Sequence, residues 1–134
     1  MWRRLREALA GLACVVLGSC YFCLLLLANL GRRFARMPDP FASSGRGARY
    51  GMRVMAPARL LPRRTLAITF GKYIFCKHRD PGPDVLRHEF MHSLQYRLYG
   101  FFGFLWRYGV DIARYGYADS SLETAARLTE HQGP

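Results

Sequence analysis

Ala8 to Leu30 is an apolar run of 23 positions, relieved only by the small or weakly polar Gly11, Gly18, Ser19 and Asn29. About 20 apolar residues suffice for a helix to cross a bilayer. This run therefore fixes the first element as a long apolar helix. A chain of 134 residues then keeps only about 100 for everything else, which is room for one small domain. The expected organisation has three parts. Residues 1–31 form an N-terminal transmembrane anchor or signal-like segment, 32–64 a basic linker containing Pro and Gly, and 65–134 a compact domain.

A basic head (Arg3, Arg4, Arg6) precedes the run, as it does in secretory signals. Leu17-Gly18-Ser19-Cys20 also has the form of a site at which bacterial lipoproteins are cleaved and lipidated on the cysteine. Against processing, Tyr21 to Leu27 continue apolar past Cys20, and no A-x-A-like site follows. The expectation is an uncleaved single-pass anchor, of the kind found in a bacterial inner membrane. Arginines flank both ends, so the positive-inside rule leans only weakly toward a cytoplasmic C-terminal part.

The net charge of +11 is concentrated just past the apolar run, where Arg32 to Arg64 supply nine arginines against Asp39 alone. Such a stretch attracts anionic headgroups, so membrane lipid is the expected partner. Nucleic acid is not expected, because no helix-turn-helix, zinc-finger or RNA-binding signature is present. Three of the four cysteines (Cys14, Cys20, Cys23) lie in the apolar run, which leaves Cys76 alone and excludes a disulfide framework in the domain. Pro38, Pro40, Pro57 and Pro62, with Ser43 to Gly47, argue against regular structure through much of 32–64. Tyr50, Met52, Val54 and Met55 nevertheless offer apolar contacts to the domain.

From Thr65 the pattern changes. Thr65 to Phe70 and Tyr73 to Cys76 are β-branched and aromatic runs around Gly71-Lys72, read as a hairpin or as one strand bulged at Gly71. A Pro-Gly-Pro turn follows, carrying a solvated His78. A helix is then predicted from about Asp84, with Asp84 as its cap or Pro83 in its first turn, to Tyr99, ended by Gly100. A second, aromatic-rich helix is predicted from about Phe102 to Arg114, facing the core or the membrane interface. Gly116 and Asp119-Ser120-Ser121 mark a break before a final helix from about Ser120 to His131. The fold class is α+β, mostly helical.

The middle helix carries His88-Glu89-Phe90-Met91-His92, a match to H-E-x-x-H. Residues four apart share a helix face, so His88 and His92 can offer two imidazoles to one metal while Glu89 on the flank serves as a base. A catalytic zinc needs a third protein ligand. No third histidine follows at the spacing of an extended motif, which leaves Asp111, Asp119, Glu123, Glu130 and His131. Glu123 is best placed, on a helix that can return beside the motif helix. It competes with a structural role, since Ser120-x-x-Glu123 is also a capping box. Tyr115 and Tyr117 are candidates to stabilise an oxyanion, and Tyr96 and Tyr99 to support the ligands.

H-E-F-M-H with the downstream Glu123-Thr124-Ala125-Ala126 (E-x-x-A) resembles the gluzincin branch of zinc metallopeptidases. Leu66 to Ala126 is similar, more closely, to a group of small uncharacterised bacterial H-E-x-x-H proteins. These share the strand, H-E-x-x-H-x-x-Q-Y, an aromatic second helix and a terminal Glu helix. Their Asn-Pro before the glutamate is replaced here by Ser120-Ser121. The resemblance implies a zincin-like domain in which His88, His92 and Glu123 bind zinc and Glu89 is the general base for hydrolysis of a peptide or protein substrate. The other class of function that these residues admit is a catalytically inactive, metal-stapled membrane scaffold or binding module.

Overall fold

The computed structural model describes residues 1–37 and 51–130. It is α+β, with four helices and one four-stranded sheet among the described residues. The order is α1 (Trp2–Ala28), β1 (Ala35–Met37), β2 (Met52–Met55), β3 (Ala67–Phe70), β4 (Tyr73–Cys76), α2 (Pro83–Tyr99), α3 (Phe101–Asp119) and α4 (Ser121–Glu130).

The sheet order is β1-β2-β4-β3. β3 and β4 form the hairpin, antiparallel with Phe70 opposite Tyr73. Gly71, at φ +62°, supplies the left-handed turn residue that a two-residue connection requires. The sheet is larger than a hairpin, however. β2 joins β4 in parallel and β1 adds antiparallel to β2, so the stretch read as a linker contributes half of the strands. The physical reason lies in the apolar positions already visible there. Met52 and Val54 point to the same face as Ile74 and Cys76, and pack with Phe90 of α2. Met55 and Phe75 alternate to the opposite face and pack with Leu25 of α1 and Phe104 and Leu105 of α3. The sheet is thus buried on both sides, with α2 on one and α1 and α3 on the other. Arg46, Tyr50 and the remaining features of 38–50 lie outside the described residues, as does His131.

α2 begins one residue earlier than predicted, with Gly82 at its N-cap and Pro83 in its first turn. Asp84 makes no capping bond and pairs instead with Arg87 at 3.3 Å. Gly100 ends α2 and starts α3 at φ +74°, ψ 165°, a conformation that only glycine adopts without strain. α3 runs five residues beyond Arg114, through a non-helical Gly116 (φ +79°).

α1 is long and apolar enough to cross a membrane. It is not a detached tether, because it lies against α3 and the sheet, and Leu25 is wholly buried. Small residues permit the close approach. A Cβ on Gly109 would lie 2.7 Å from the Cβ of Cys14 and collide with the carbonyl of Ala10, and one on Gly11 would meet the Trp106 ring at 2.8 Å. The core-facing reading of the second helix therefore holds for Phe104, Leu105 and Gly109, while Phe102 remains 63% exposed.

Candidate metal centre

α2 brings His88 and His92 to one face one turn apart, and α4 packs beside it so that Glu123 enters between them. The two imidazole Nε2 atoms are 3.1 Å apart. Glu123 Oε2 lies 3.5 Å from His88 Nε2, and Oε1 lies 3.5 Å from His92 Nε2. A tetrahedral zinc with bonds of 2.0–2.2 Å places neighbouring ligand atoms about 3.4 Å apart, so these separations fit one ion.

The proton assignment supports the same conclusion. Gln95 Nε2 donates to the Leu122 carbonyl at 3.0 Å, which turns its Oε1 toward His92 Nδ1 at 2.9 Å. An amide oxygen only accepts, so His92 carries its proton on Nδ1 and presents a lone pair at Nε2. His88 Nδ1 faces Glu130 Oε1 at 2.6 Å and is held in the same way, as a carboxylate orients a ligand histidine. Two lone pairs and a carboxylate thus converge on one point. Glu123 Oε2, buried and without a hydrogen-bond partner, is the orphaned atom that a cation would satisfy. His88, His92 and Glu123 are a group that could hold a metal ion.

The electrostatics follow from this crowding. Burial alone would raise the Glu123 carboxyl, but the nearby His88 imidazole, the hydrogen bond from Tyr108 and the proximity of His92 outweigh it and hold it at about 2. Burial alone would lower His88, yet Glu123, Glu89 and Glu130 around it raise it. In the absence of metal, a proton on His88 does part of a cation's work. Glu89 behaves differently. Burial pushes its carboxyl up, and this outweighs the pull of His92 and of the Thr69 hydroxyl 2.6 Å from Oε2. Strand alternation explains Thr69: Ile68 and Phe70 point toward α1, which sends Thr69 toward α2.

The other candidates are sorted by position. Asp111 Oδ2 accepts from Ser120 and Ser121 hydroxyls and from the Leu122 amide, at 2.7, 3.1 and 3.4 Å. It is the cap of α4. The Ser120 hydroxyl accepts weakly from the Glu123 amide at 3.5 Å, so half of the capping box forms, while the Glu123 carboxylate turns to the histidines. Glu130 reaches the outer nitrogen of His88, not the metal side. Asp119 and His78 are exposed. Tyr117 lines the same cavity as the histidines, whereas Tyr115 lines a separate one. Tyr96 lines the site cavity and packs against Phe104 with ring centroids 3.9 Å apart and planes tilted by 37°, while Tyr99 lies beneath the Arg107 guanidinium.

Tyr108 was not singled out from sequence. Its hydroxyl donates to Glu123 Oε1 at 2.5 Å, and it was one aromatic among many in its helix, with no local pattern to mark it. Gln95 enters the sequence reading only within the H-E-x-x-H-x-x-Q-Y resemblance, with no role attached. Its bond to Leu122 depends on how α4 docks.

The cavity beside the ligands is about 500 Å³. His88, Glu89, His92 and Glu123 line it, and Cys14, Leu17, Gly18 and Tyr21 of α1 with Phe70 and Leu105 complete its walls. Compared with protein-family models, curated proteins and solved structures, the chain matches none.

Proposed function

We propose that this chain is a membrane-anchored, zinc-dependent metallopeptidase of gluzincin type. The observation that carries the reading is the convergence of two Nε2 lone pairs and an unpartnered carboxylate oxygen within 4.8 Å of one another. Zinc held by His88, His92 and Glu123 would supply a Lewis acid that polarises a carbonyl and makes water acidic near neutral pH.

The rest is the work of the chain's own residues. Glu89 is fixed through Oε2 by the Thr69 hydroxyl, which leaves Oε1 to take a proton from the attacking water and pass it to the leaving amine. Its raised pKa suits a group that must both accept and return a proton. Tyr117, at the cavity wall, is placed to donate to a developing oxyanion. Gln95 and Glu130 hold the imidazoles in the ligating tautomer. β3 ends the sheet order and lines the cavity, so an extended peptide has a strand edge beside the ligands. The apolar walls favour substrates with apolar side chains at the scissile bond.

The test is Glu89→Gln in the purified chain. About one zinc per chain is expected to remain while hydrolysis of apolar peptides is lost. The second reading, an inactive metal-stapled scaffold or binding module, draws on the buried Glu89–Thr69 pair as a structural contact. It requires that Glu89→Gln retain cellular function.

A further inference from the structure

α1 has two faces along its whole length. Glu7, Gly11, Cys14, Gly18, Phe22 and Leu25 recur at three- and four-residue spacing, and each is buried or half-buried. On the other side Leu5, Leu9, Leu12, Val16, Leu24 and Leu27 are between 48% and 67% exposed. From Ala8 to Leu30 this outer side carries no charge. An exposed apolar stripe of that length is far beyond the isolated apolar residues of an ordinary soluble surface.

We propose that α1 lies in the plane of one membrane leaflet instead of crossing the bilayer, with its outer stripe among the acyl chains and an anionic lipid surface as its partner. The inference rests on the preceding reading only for attachment through α1, and is independent of any hydrolysis.

Two observations carry it. The first is that the domain holds α1 from end to end. Near the N-terminus Arg114 lies 2.8 Å from Glu7, and the Arg6 guanidinium donates to the Ala113 carbonyl at 2.9 Å. Further along, the Tyr21 hydroxyl donates to the Leu60 carbonyl at 2.7 Å. At the far end the Asn29 side chain accepts from the Arg59 amide at 2.8 Å and donates to its carbonyl at 3.3 Å. A helix of 27 residues is about 40 Å long, against about 30 Å for a hydrocarbon core. Were α1 to cross, the domain fastened along it would enter the core as well. The cavity with its two buried carboxylates, which sits beside Cys14 and Gly18 at the helix midpoint, would lie at the centre, where charged side chains are most costly. Lying flat, α1 keeps its outer stripe in lipid and the whole domain in water.

The second observation is that both ends of α1 are basic. Arg3, Arg4 and Arg6 stand at one end and Arg32, Arg33 and Arg36 just past the other, and all six are exposed. A spanning helix has a basic side and a less basic one. Three arginines at each end fit a helix whose two ends meet the same layer of anionic headgroups. This removes the conflict that two basic flanks pose for a spanning orientation.

The test uses the full chain with the exposed Cys20 and Cys23 replaced by alanine and with Arg4→Cys or Arg33→Cys, beside the parent without either introduced cysteine, in sealed membrane vesicles of a single sidedness made from the producing cells, treated with a membrane-impermeant maleimide. Both positions are expected to react to the same extent in the same preparation, and to be equally protected in vesicles of the opposite sidedness. Reaction at one end with protection of the other would overturn the in-plane helix. Absence of the chain from the vesicles would overturn attachment altogether, and zinc analysis of the same chain keeps that failure separate from the metal reading. Purified chain should also bind phosphatidylglycerol vesicles at least tenfold more tightly than phosphatidylcholine vesicles at low salt. Equal binding would overturn the anionic partner.

Discussion

The pair α2–α4 is held together mainly by polar contacts and the pair α1–α3 mainly by close steric fit. Between α2 and α4 the contacts are polar and wholly or partly buried: Gln95 to the Leu122 carbonyl, His88 to Glu130, and Thr129 to the Arg87 carbonyl at 3.4 Å. Between α1 and α3 the fit along the middle of the helices is steric, with Gly11 under Trp106 and Gly109 against Ala10 and Cys14, and polar contacts are confined to the N-terminal end of α1, where Glu7 meets Arg114 and Arg6 the Ala113 carbonyl. The difference teaches where each region is vulnerable. The first depends on proton and metal occupancy, the second on shape, and changes in one should leave the other largely intact.

The largest separation is expected from Glu89→Gln. Loss of the proton acceptor should lower hydrolysis by roughly 10²–10⁴-fold, while zinc content and the α1–α3 fit are unchanged. Parallel activity and metal assays check this, and zinc loss in the variant would place Glu89 among the ligands. Next comes Gly109→Leu, whose side chain must displace the α1 backbone. Overpacking of this kind should cost about 3 kcal/mol in urea or thermal unfolding, with zinc affinity of the folded chain within about twofold.

Acid should act on the α2–α4 pair through Glu123, and at the N-terminal end of α1–α3 through the depressed Glu7 beside Arg114. In metal-free protein the depressed Glu123 contributes stability above its ordinary value of 4.5, and that contribution is lost as pH falls toward about 2. The amount is about 3 kcal/mol. The raised His88 contributes below its ordinary 6.5, and its share is lost as pH rises through the raised value. These two contributions are together greatest between about 4.5 and 6.5, while the raised Glu89 carboxyl works against folding progressively above 4.5. Zinc should remove the His88 part of the decline on the alkaline side, since it replaces the proton on His88. Unfolding curves against pH, with and without zinc, read both limbs, and identical curves would break the comparison. Smallest is Glu130→Ala or Gln95→Ala, each expected to weaken zinc binding by roughly 10- to 100-fold, as measured by competition with a chelator.

The elements that local sequence controls were legible. An apolar run of 23 positions is a helix by length alone, the β3–β4 hairpin announces itself through Gly71, and H-E-x-x-H sits on a helix bounded by Pro83 and Gly100. Glu123 was reached because few acids remain after His92. What stayed hidden depends on tertiary placement. β1 and β2 come from a stretch rich in Pro and Gly, and their few apolar residues become strands only when β4 offers an edge. Tyr108 acquires its role once α3 docks and no spacing rule marks it, and Gln95, though it stands in H-E-x-x-H-x-x-Q-Y, acquires its bond to Leu122 once α4 docks on α2. The contact between α1 and the metal cavity was equally invisible, because an apolar run signals burial or lipid without saying which face meets which.

Metal analysis of the purified full chain beside His92→Ala and Glu123→Ala bears on the site most directly. About one zinc per wild-type chain, with loss from both variants at retained secondary structure, is the predicted result. A natively folded wild-type chain that takes up no zinc, or variants that keep a full equivalent, would contradict the assignment of His88, His92 and Glu123 as its ligands.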